Sequence, residues 1–435
     1  MVTPRFLSLQ WLLIAVSLLI AGSALAADAD LPDDGRLSLS QALAIARERN
    51  PQISLAAIAV RAADAATLSA NVSPNPSLSV SAFSINPHQG IGAGGPRDKM
   101  IDTSVRVEQL IERGGKRALR TENASRLADA SRADLAEARR QLDAAVSNAY
   151  FGLLGAQEKL DITRDTAGLF EATLGAAERR RQAGDLAGAE VERLRVDALR
   201  ARNDTRQAES ELQRARLALM LVMGLPARAD KLTAVSEWPA PSPMPAPADL
   251  ERLLERHPDV RAAQARVQAA QSALKLAQAQ RTRDVSVGVQ YDRSPASPAN
   301  SFYTANSYGV SVQIPLFVNN YFEGDIRNAA AGLDSAQENL QRARFQAGAD
   351  LQRAWTDMQS AGDRLLRLRE ELGVAARRAV DAAEFAFRNG AISVTDVLDA
   401  RRTFRAITLD ELSARADYAK ALAAWRAATL ENSHP

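Results

Sequence analysis

Side chains that commonly carry catalytic chemistry are sparse in this sequence. There is no cysteine, which excludes disulfides, thiol catalysis and thiolate metal sites. The three histidines, His88, His257 and His434, lie far apart without the spacing of metal ligands, so we predict no tightly bound metal. They also stand in unrelated contexts, and no Ser/His/Asp grouping indicates a hydrolase. We therefore predict a protein that is not an enzyme and that uses no cofactor.

One short motif resembles part of a phosphate-binding loop. Gly114-Gly115-Lys116 lacks the further glycine and the Ser/Thr after lysine that such loops require, and it is more typical of a turn from a strand into a helix.

The charge composition does not indicate nucleic-acid binding. The 54 Lys and Arg nearly balance the 52 Asp and Glu, and the charges are interleaved as on solvated helix faces.

The first residues have the pattern of a cleaved export signal. Arg5 supplies a positive start, residues 11–20 are apolar, and Ala24-Leu25-Ala26 is a small-x-small cleavage site. An uncleaved anchor helix is the alternative, although the apolar run is short for a bilayer. No later segment reaches about 18 consecutive apolar residues, so we expect an exported protein that is either soluble or a β-barrel.

Two halves of the chain follow one plan, offset by about 206 residues. Residues 49–53 resemble residues 256–260, and residues 184–191 resemble residues 390–397. A solenoid would show shorter and more numerous units. The predicted organisation is a signal peptide, a first repeat, a proline-rich linker and a second repeat, at residues 1–26, 27–229, 230–247 and 248–435.

Each repeat begins with a helical stretch that proline interrupts, at Pro51 in the first repeat and at Pro258 in the second. Two strands follow, because apolar and polar residues alternate with a period of two. The alternation is clean at residues 285–291 and 308–314. It is weaker in the first repeat, where the strands are expected around residues 78–82 and 105–108.

Long proline-free stretches rich in Ala, Arg, Leu, Glu and Gln come next, and these are strong helix formers. We predict helices from Leu119 to Arg181 and from Arg327 to Arg388, each roughly 90 Å long. A turn at Gly184 or Gly390 leads into a returning helix. The returning helices are predicted at residues 189–223 and 394–430.

The strands and helices together predict an assembly of several chains. The four strands of one chain cannot close a barrel, and open sheet edges in lipid leave unpaired backbone groups, whereas three chains would supply twelve strands. Apolar residues spread around the last helix favour a ring of packed helices over an ordinary coiled coil.

Aromatic residues near the strand ends predict membrane-interface girdles, with plain packing as the alternative. These are Tyr291, Tyr308, Phe302, Tyr303, Phe317 and Tyr321.

Several motifs carry a family resemblance that covers nearly all of the chain after the signal. They lie at residues 42–51, 107–116, 312–317 and 387–400. With them the sequence resembles the TolC family of outer-membrane efflux proteins. Residues 111–117 and 321–327 resemble its heavy-metal branch, the outer component of cobalt, zinc, cadmium or nickel exporters.

The resemblance implies a mostly α fold with a small β part. Three copies would form a twelve-stranded outer-membrane β-barrel continued by a periplasmic α-barrel of long hairpins. It implies a passive exit duct in outer-membrane lipid, docked to a periplasmic adaptor and an inner-membrane pump of the RND type, with divalent heavy-metal cations as cargo. Export of organic compounds is the alternative cargo. A periplasmic coiled-coil adaptor is the alternative from another class, although it would carry one hairpin and a lipoyl-like module.

The resemblance also assigns candidate site residues. Asp396 and Asp399 match acidic residues that line the family's closed inner mouth, and Glu190 is the repeat equivalent of Asp396. Rings of three like charges would repel anions and attract cations. Asp396 also suits a helix N-terminus, where the macrodipole favours an acid. Ile392 stands where the family's best-known member has a latching arginine, so that latch is predicted to be absent. The turns expected to dock the adaptor comprise Gly184, Asp185, Leu186, Gly390, Ala391, Ile392 and Ser393.

Overall fold

A computed structural model describes residues 35–83, 85, 101–225, 232–242, 249–294 and 306–429. Several predicted features lie outside these residues. They are the signal peptide, part of the linker, His88, His434, Phe302 and Tyr303.

The chain is mostly helical with a small β part, as predicted. The helices are α1 (Leu39–Arg49), α2 (Pro51–Ala70), α3 (Lys116–Gln182), α4 (Gly188–Met223), α5 (Leu250–Arg256), α6 (Pro258–Ala279), α7 (Glu323–Arg367), α8 (Gly373–Arg388) and α9 (Val394–Thr429). The strands are β1 (Arg36–Leu37), β2 (Ser77–Phe83), β3 (Asp102–Ile111), β4 (Thr233–Ala234), β5 (Val285–Arg293) and β6 (Asn306–Gln313). The predicted order of helices, two strands and a long hairpin is confirmed in both halves. Two features were not predicted: β1 pairs in parallel with β4, and a π-helical turn, Leu368–Leu372, joins α7 to α8.

Local sequence explains where the first helices begin and end. Ser38 caps α1, because its hydroxyl accepts a hydrogen bond from the Gln41 backbone N–H at 3.3 Å and the Gln41 side chain accepts one from the Ser38 N–H at 2.9 Å. The helix ends at Asn50, which is extended with ψ 123°. His257 is extended in the same way, with ψ 129°. A residue before proline avoids the helical region, so both breaks follow from the prolines.

Two compact units divide the chain. The hairpin unit comprises residues 1–50, 142–242 and 358–423, and the sheet unit comprises residues 51–141, 243–357 and 424–435. Each unit takes segments from both halves of the sequence. The repeat boundaries remain a prediction about the sequence, and the compact units cut across them.

A buried tyrosine holds the small β1–β4 ladder in the hairpin unit. Tyr150 of α3 is fully buried, and its hydroxyl lies 3.2 Å from the Leu37 carbonyl and 2.9 Å from that of Val235. Burial comes first among the effects that raise the pKa of Tyr150, to about 12. The phenol therefore stays protonated and able to donate at neutral pH.

The sheet unit contains an open antiparallel sheet in the order β2-β3-β5-β6. One row of its apolar face crosses all four strands through Leu78, Val107, Val289 and Val310. These side chains stay exposed in the single chain, by 66 % at Leu78 and 78 % at Val310. The neighbouring row on the other face is polar, with Ser79, Arg106 and Gln290 beside Gly309. The predicted alternation is confirmed, and β2 and β6 are the two edges.

The glycine motif at residues 114–116 forms the joint between β3 and α3. Gly114 and Gly115 have φ of +72° and +71°, which favours glycine. Lys116 is buried, and its ammonium donates to the Thr282 carbonyl at 2.9 Å and to Asp284 Oδ2 at 2.8 Å. The motif is therefore a strand-to-helix turn, as predicted. The ammonium of its lysine is engaged by hydrogen bonds within the protein.

Among the described helices, α2 is long and apolar enough to cross a membrane by length and composition. It carries Arg61 and Asp64, and Asp64 pairs with Arg132 of α3 at 2.5 Å. Charged side chains are costly in lipid, so this pair fits a helix that packs beside α3.

Candidate functional site

The two predicted tip turns have the same backbone structure. In the first, Gly184 N–H donates to Arg181 O at 3.0 Å and Asp185 N–H to Arg180 O at 2.9 Å. In the second, Gly390 N–H donates to Phe387 O at 2.9 Å and Ala391 N–H to Ala386 O at 2.9 Å. Both are Schellman motifs, in which a left-handed residue ends the helix. The two halves therefore end their long helices in the same way.

Glycine is required in these turns by backbone conformation. The φ angles are +86° at Gly184 and +72° at Gly390, and no atom lies within 4 Å of the place where a Cβ would stand at either. Crowding is therefore not what requires glycine here. Glycine is required because the left-handed conformation is strained for residues with a Cβ.

Asp396 belongs to a capping box at the start of α9. Ser393 donates to Asp396 Oδ2 through its backbone N–H at 3.0 Å and through its hydroxyl at 2.8 Å, and Asp396 N–H donates back to the hydroxyl at 3.3 Å. The helix-cap interpretation of Asp396 is therefore present in the structure. Glu190 has the equivalent position in α4, but its N-cap is Ala187, which supplies no side-chain hydrogen bond.

A hydrophobic cluster packs the hairpin ends together inside the hairpin unit. Its centre is the fully buried Val191, with Phe170, Leu194 and Leu398 around it. Leu186 of the first turn packs against this cluster. Ile392, the repeat equivalent of Leu186, is half-buried. It is the apolar residue at the position where the latching arginine was predicted to be absent.

Ion pairs between α4 and α9 were missed in the sequence. Arg402 pairs with Asp399 at 2.6 Å through Nη1 and with Asp197 through Nη2, and Arg405 pairs with Asp204 at 2.6 Å. Asp197 has only 10 % of its side chain exposed, so Arg402 neutralises a nearly buried charge. The separation of 205 residues between Arg402 and Asp197 is close to the repeat offset, which could have indicated the pair.

One groove between the first turns of α4 and α9 is lined by charged residues. Its acids are Glu190, Glu192, Asp197 and Asp399, and its cations are Arg193, Arg200 and Arg402. The structure thus brings two predicted gate residues, Glu190 and Asp399, to one groove. The Asp396 carboxylate is instead hydrogen-bonded to Ser393 in the capping box. The Glu190 side chain makes no hydrogen bond or ion pair within the described part of the chain.

A different group of titratable residues lies in the sheet unit. Ligand atoms of Glu137, His257 and Asp259 all lie within 4.8 Å of one another. The wide separation of the histidines along the chain predicted no metal, and it did not reveal that two carboxylates converge on one of them.

Two of the predicted girdle tyrosines face each other across β5 and β6. Tyr291 and Tyr308 have ring centroids 5.4 Å apart, and Tyr308 is 84 % exposed. Phe317 instead packs edge-on against Phe322 at 5.1 Å. The girdle stays a prediction, which the exposed tyrosines suit better than the packed phenylalanine.

Comparison with known proteins gives a consistent set of similarities. The family model described as "Outer membrane efflux protein" matches residues 42–225 and 250–429. The chain is 27 % identical over 374 residues to the cobalt-zinc-cadmium resistance protein CzcC of Cupriavidus metallidurans, covering 85 % of this chain and 84 % of that protein. It is 28 % identical over 298 residues to the pyoverdine export outer membrane protein OpmQ of Pseudomonas putida, covering 67 % of this chain and 62 % of that protein.

Solved structures share the fold at low sequence identity. Crystal structures of CusC, which describe its folding and transmembrane channel formation, match with a TM-score of 0.76 and 18 % identity, covering 90 % of this chain and 91 % of that one. VceC, an outer membrane protein of Vibrio cholerae, matches with a TM-score of 0.72 and 20 % identity, covering 90 % of this chain and 95 % of that one.

Proposed function

Because the chain belongs to the outer membrane efflux protein family, a family of channels and not of enzymes, we propose that it is the exit duct of a tripartite system that expels divalent heavy-metal cations. An inner-membrane pump of the RND type supplies the energy, and a periplasmic adaptor joins the pump to the duct. The protein itself is a passive conduit in the outer membrane. The cleaved signal predicted for residues 1–26 accounts for its export.

The similarity to the cobalt-zinc-cadmium resistance protein carries the metal assignment. It extends over 85 % of this chain and 84 % of that protein. The motifs at residues 111–117 and 321–327, which resemble the heavy-metal branch, point the same way.

The sheet of the single chain supports a homotrimer. Its apolar face is exposed, and its edge strands β2 and β6 have no further partner among the described residues. Three copies joined edge to edge close twelve strands, put the apolar face against lipid and turn the polar face inward. No other arrangement of these four strands satisfies both the unpaired edges and the exposed face as simply.

In the hairpin unit, the charged groove that holds Glu190 and Asp399 forms the gate. Glu190 and Asp399 from three chains give rings of like charge, which attract cations and repel anions in a constriction. Asp396 contributes mainly by capping α9, and its charge adds to the same end of the hairpin. The turns at residues 184–186 and 390–393 dock the adaptor, since they are the exposed ends of the hairpins.

Organic compounds are the second candidate cargo, because the chain is also similar to a pyoverdine export protein. A deletion strain separates the two. We expect loss of the gene to lower growth on Co²⁺, Zn²⁺, Cd²⁺ or Ni²⁺ while growth on dyes and antibiotics is unchanged, and a plasmid copy to restore it. Sensitivity to organic compounds alone would reject the metal assignment and leave the duct in place.

A further inference from the structure

Three metal-binding residue types converge in the sheet unit. Glu137 lies on α3, His257 lies between α5 and α6, and Asp259 lies in the first turn of α6. One ligand atom from each lies within 4.8 Å of the others. Glu137 and His257 are 6 % and 4 % exposed, whereas Asp259 is exposed, so the group opens to solvent on one side.

His257 has an unsatisfied ring nitrogen. Its Nδ1 is buried and has no hydrogen-bond partner among the described residues. Leaving a buried polar atom without a hydrogen-bond partner costs about 1–3 kcal/mol of stability. A ligand bound to Nδ1 would remove this cost. Burial, and secondarily the charge of Arg140, lower the pKa of His257 below its usual 6.5.

The neighbouring charges favour a cation in spite of one arginine. Arg140 binds both oxygens of Glu137, at 2.7 Å and 2.5 Å, and Gln141 binds Oε1 at 2.7 Å. Oε2 accepts one of these bonds and keeps a second lone pair for a metal. Glu137 and Asp259 supply two negative charges beside the positive charge of Arg140, and Asp350 is paired with Arg353 at 3.3 Å. The group therefore carries surplus negative charge.

We propose that Glu137, His257 and Asp259 form a binding site for a divalent transition-metal cation such as Zn²⁺ or Co²⁺. An imidazole ligand favours these ions over Mg²⁺ and Ca²⁺, which take oxygen ligands. Bond lengths of about 2.0–2.2 Å require the ligand atoms to approach to roughly 3.3 Å, and the exposed Asp259 side chain is free to move inward. Water completes the coordination. The site goes beyond the proposed duct, because it binds a cation whatever cargo passes through the channel.

The first half of the chain provides an internal comparison. Asn50 is the repeat equivalent of His257, and Gln52 is that of Asp259. The Asn50 amide donates to the Val222 carbonyl at 2.7 Å in the hairpin unit. Asparagine is thus accepted at this type of helix break without a metal ligand. His257→Asn is accordingly a variant that removes the ligand and introduces a residue the fold already uses there.

The experiment uses untagged full-length protein, purified in detergent and stripped of metal with a chelator. Bound Zn²⁺ per chain is measured by equilibrium dialysis, and Co²⁺ binding by its visible absorption. We expect one cation per chain, with affinity lowered at least tenfold, or about 1.4 kcal/mol, in His257→Asn, Asp259→Asn and Glu137→Gln. Asp334→Asn, an exposed acid of α7, and His434→Asn are controls that leave the affinity unchanged. Circular dichroism checks that each variant is folded.

Two results would overturn the site. One is wild-type protein that binds no Zn²⁺ or Co²⁺, which would mean that a water molecule satisfies Nδ1. The other is binding that Asp259→Asn weakens no more than Asp334→Asn does. Because Asp259 is exposed, its variant keeps the test valid even if the buried positions fail to fold. Neither result bears on the duct, since the measurement needs no pump, adaptor or transport.

Discussion

At the scale of residues, the acids of the hairpin ends have different tasks. Asp396 and Glu190 occupy equivalent positions in the first turn of α9 and α4. Asp396 accepts two hydrogen bonds from Ser393, whereas Glu190 follows Ala187, which has no capping side chain. Sequence pattern could place both acids near a turn, but it could not show which carboxylate is engaged by its own backbone. The unengaged carboxylate of Glu190 suits the proposed gate better than that of Asp396.

The cap makes a prediction about local stability. Ser393→Ala removes the hydroxyl from the capping box and should destabilise the first turn of α9 by about 1 kcal/mol. Hydrogen exchange at the amides of residues 394–397 should then quicken by about fivefold. The reverse change, Ala187→Ser, creates a Ser-x-x-Glu box with Glu190 and should slow exchange at the start of α4. Equal exchange in Ser393→Ala and wild-type protein would contradict the capping role.

At the scale of elements, the sheet separates two environments. The apolar row from Leu78 to Val310 is exposed, and the polar row from Ser79 to Gly309 is on the opposite face. This is the reverse of a soluble sheet, which buries its apolar side. Among the helices, α3 reaches 67 residues and packs through side chains along its length.

The two faces should respond differently to charge. Val310→Arg puts a charge on the face assigned to lipid and should cost about 2–4 kcal/mol at the bilayer midplane. Ser81→Arg puts the same charge on the polar face of β2 and is the matched control. We expect Val310→Arg to reduce the heat-modifiable band of the outer-membrane fraction, and Ser81→Arg to leave it intact. The assignment of faces would be wrong if the control were the more damaging of the two.

At the scale of the whole molecule, the edges of β2 and β6, unpaired among the described residues, support the proposed assembly of several copies. Contact between two different edges is head-to-tail, so it closes into a ring only if the rotation fits. Twelve strands from three chains give such a ring. The proposed gate depends on the same assembly, because a single chain would supply only one acid of each ring.

Engineered cysteines test this assembly, since the natural chain has none. Val80→Cys on β2 is combined in turn with Tyr308→Cys, Val310→Cys or Val312→Cys on β6, because a disulfide forms only where Cα atoms lie within about 7 Å. At least one pair should give dimers and trimers without reductant, and no larger species. Each single variant should stay monomeric on the gel. A ladder that continues beyond three chains would refute the closed ring.

The sequence by itself determined the elements of this protein and their order. Proline at 51 and 258 ended helices, alternation placed the strands, and the long proline-free stretches became the long helices, because these are effects of neighbouring residues on one backbone. The family resemblance came from contiguous motifs for the same reason. The π-helical turn at residues 368–372 and the parallel pairing of β1 with β4 were not predicted, since no local pattern distinguishes them.

Only the tertiary structure decided which distant residues meet. The pairing of β3 with β5 joins the two halves in one sheet, and Arg402 reaches Asp197 across 205 residues. The separation of the three histidines predicted no metal, and it carried no information on the fold that brings ligand atoms of His257 and Glu137 within 4.8 Å of each other. Such contacts depend on the packing of whole helices and strands, and spacing along the chain carries little information about them.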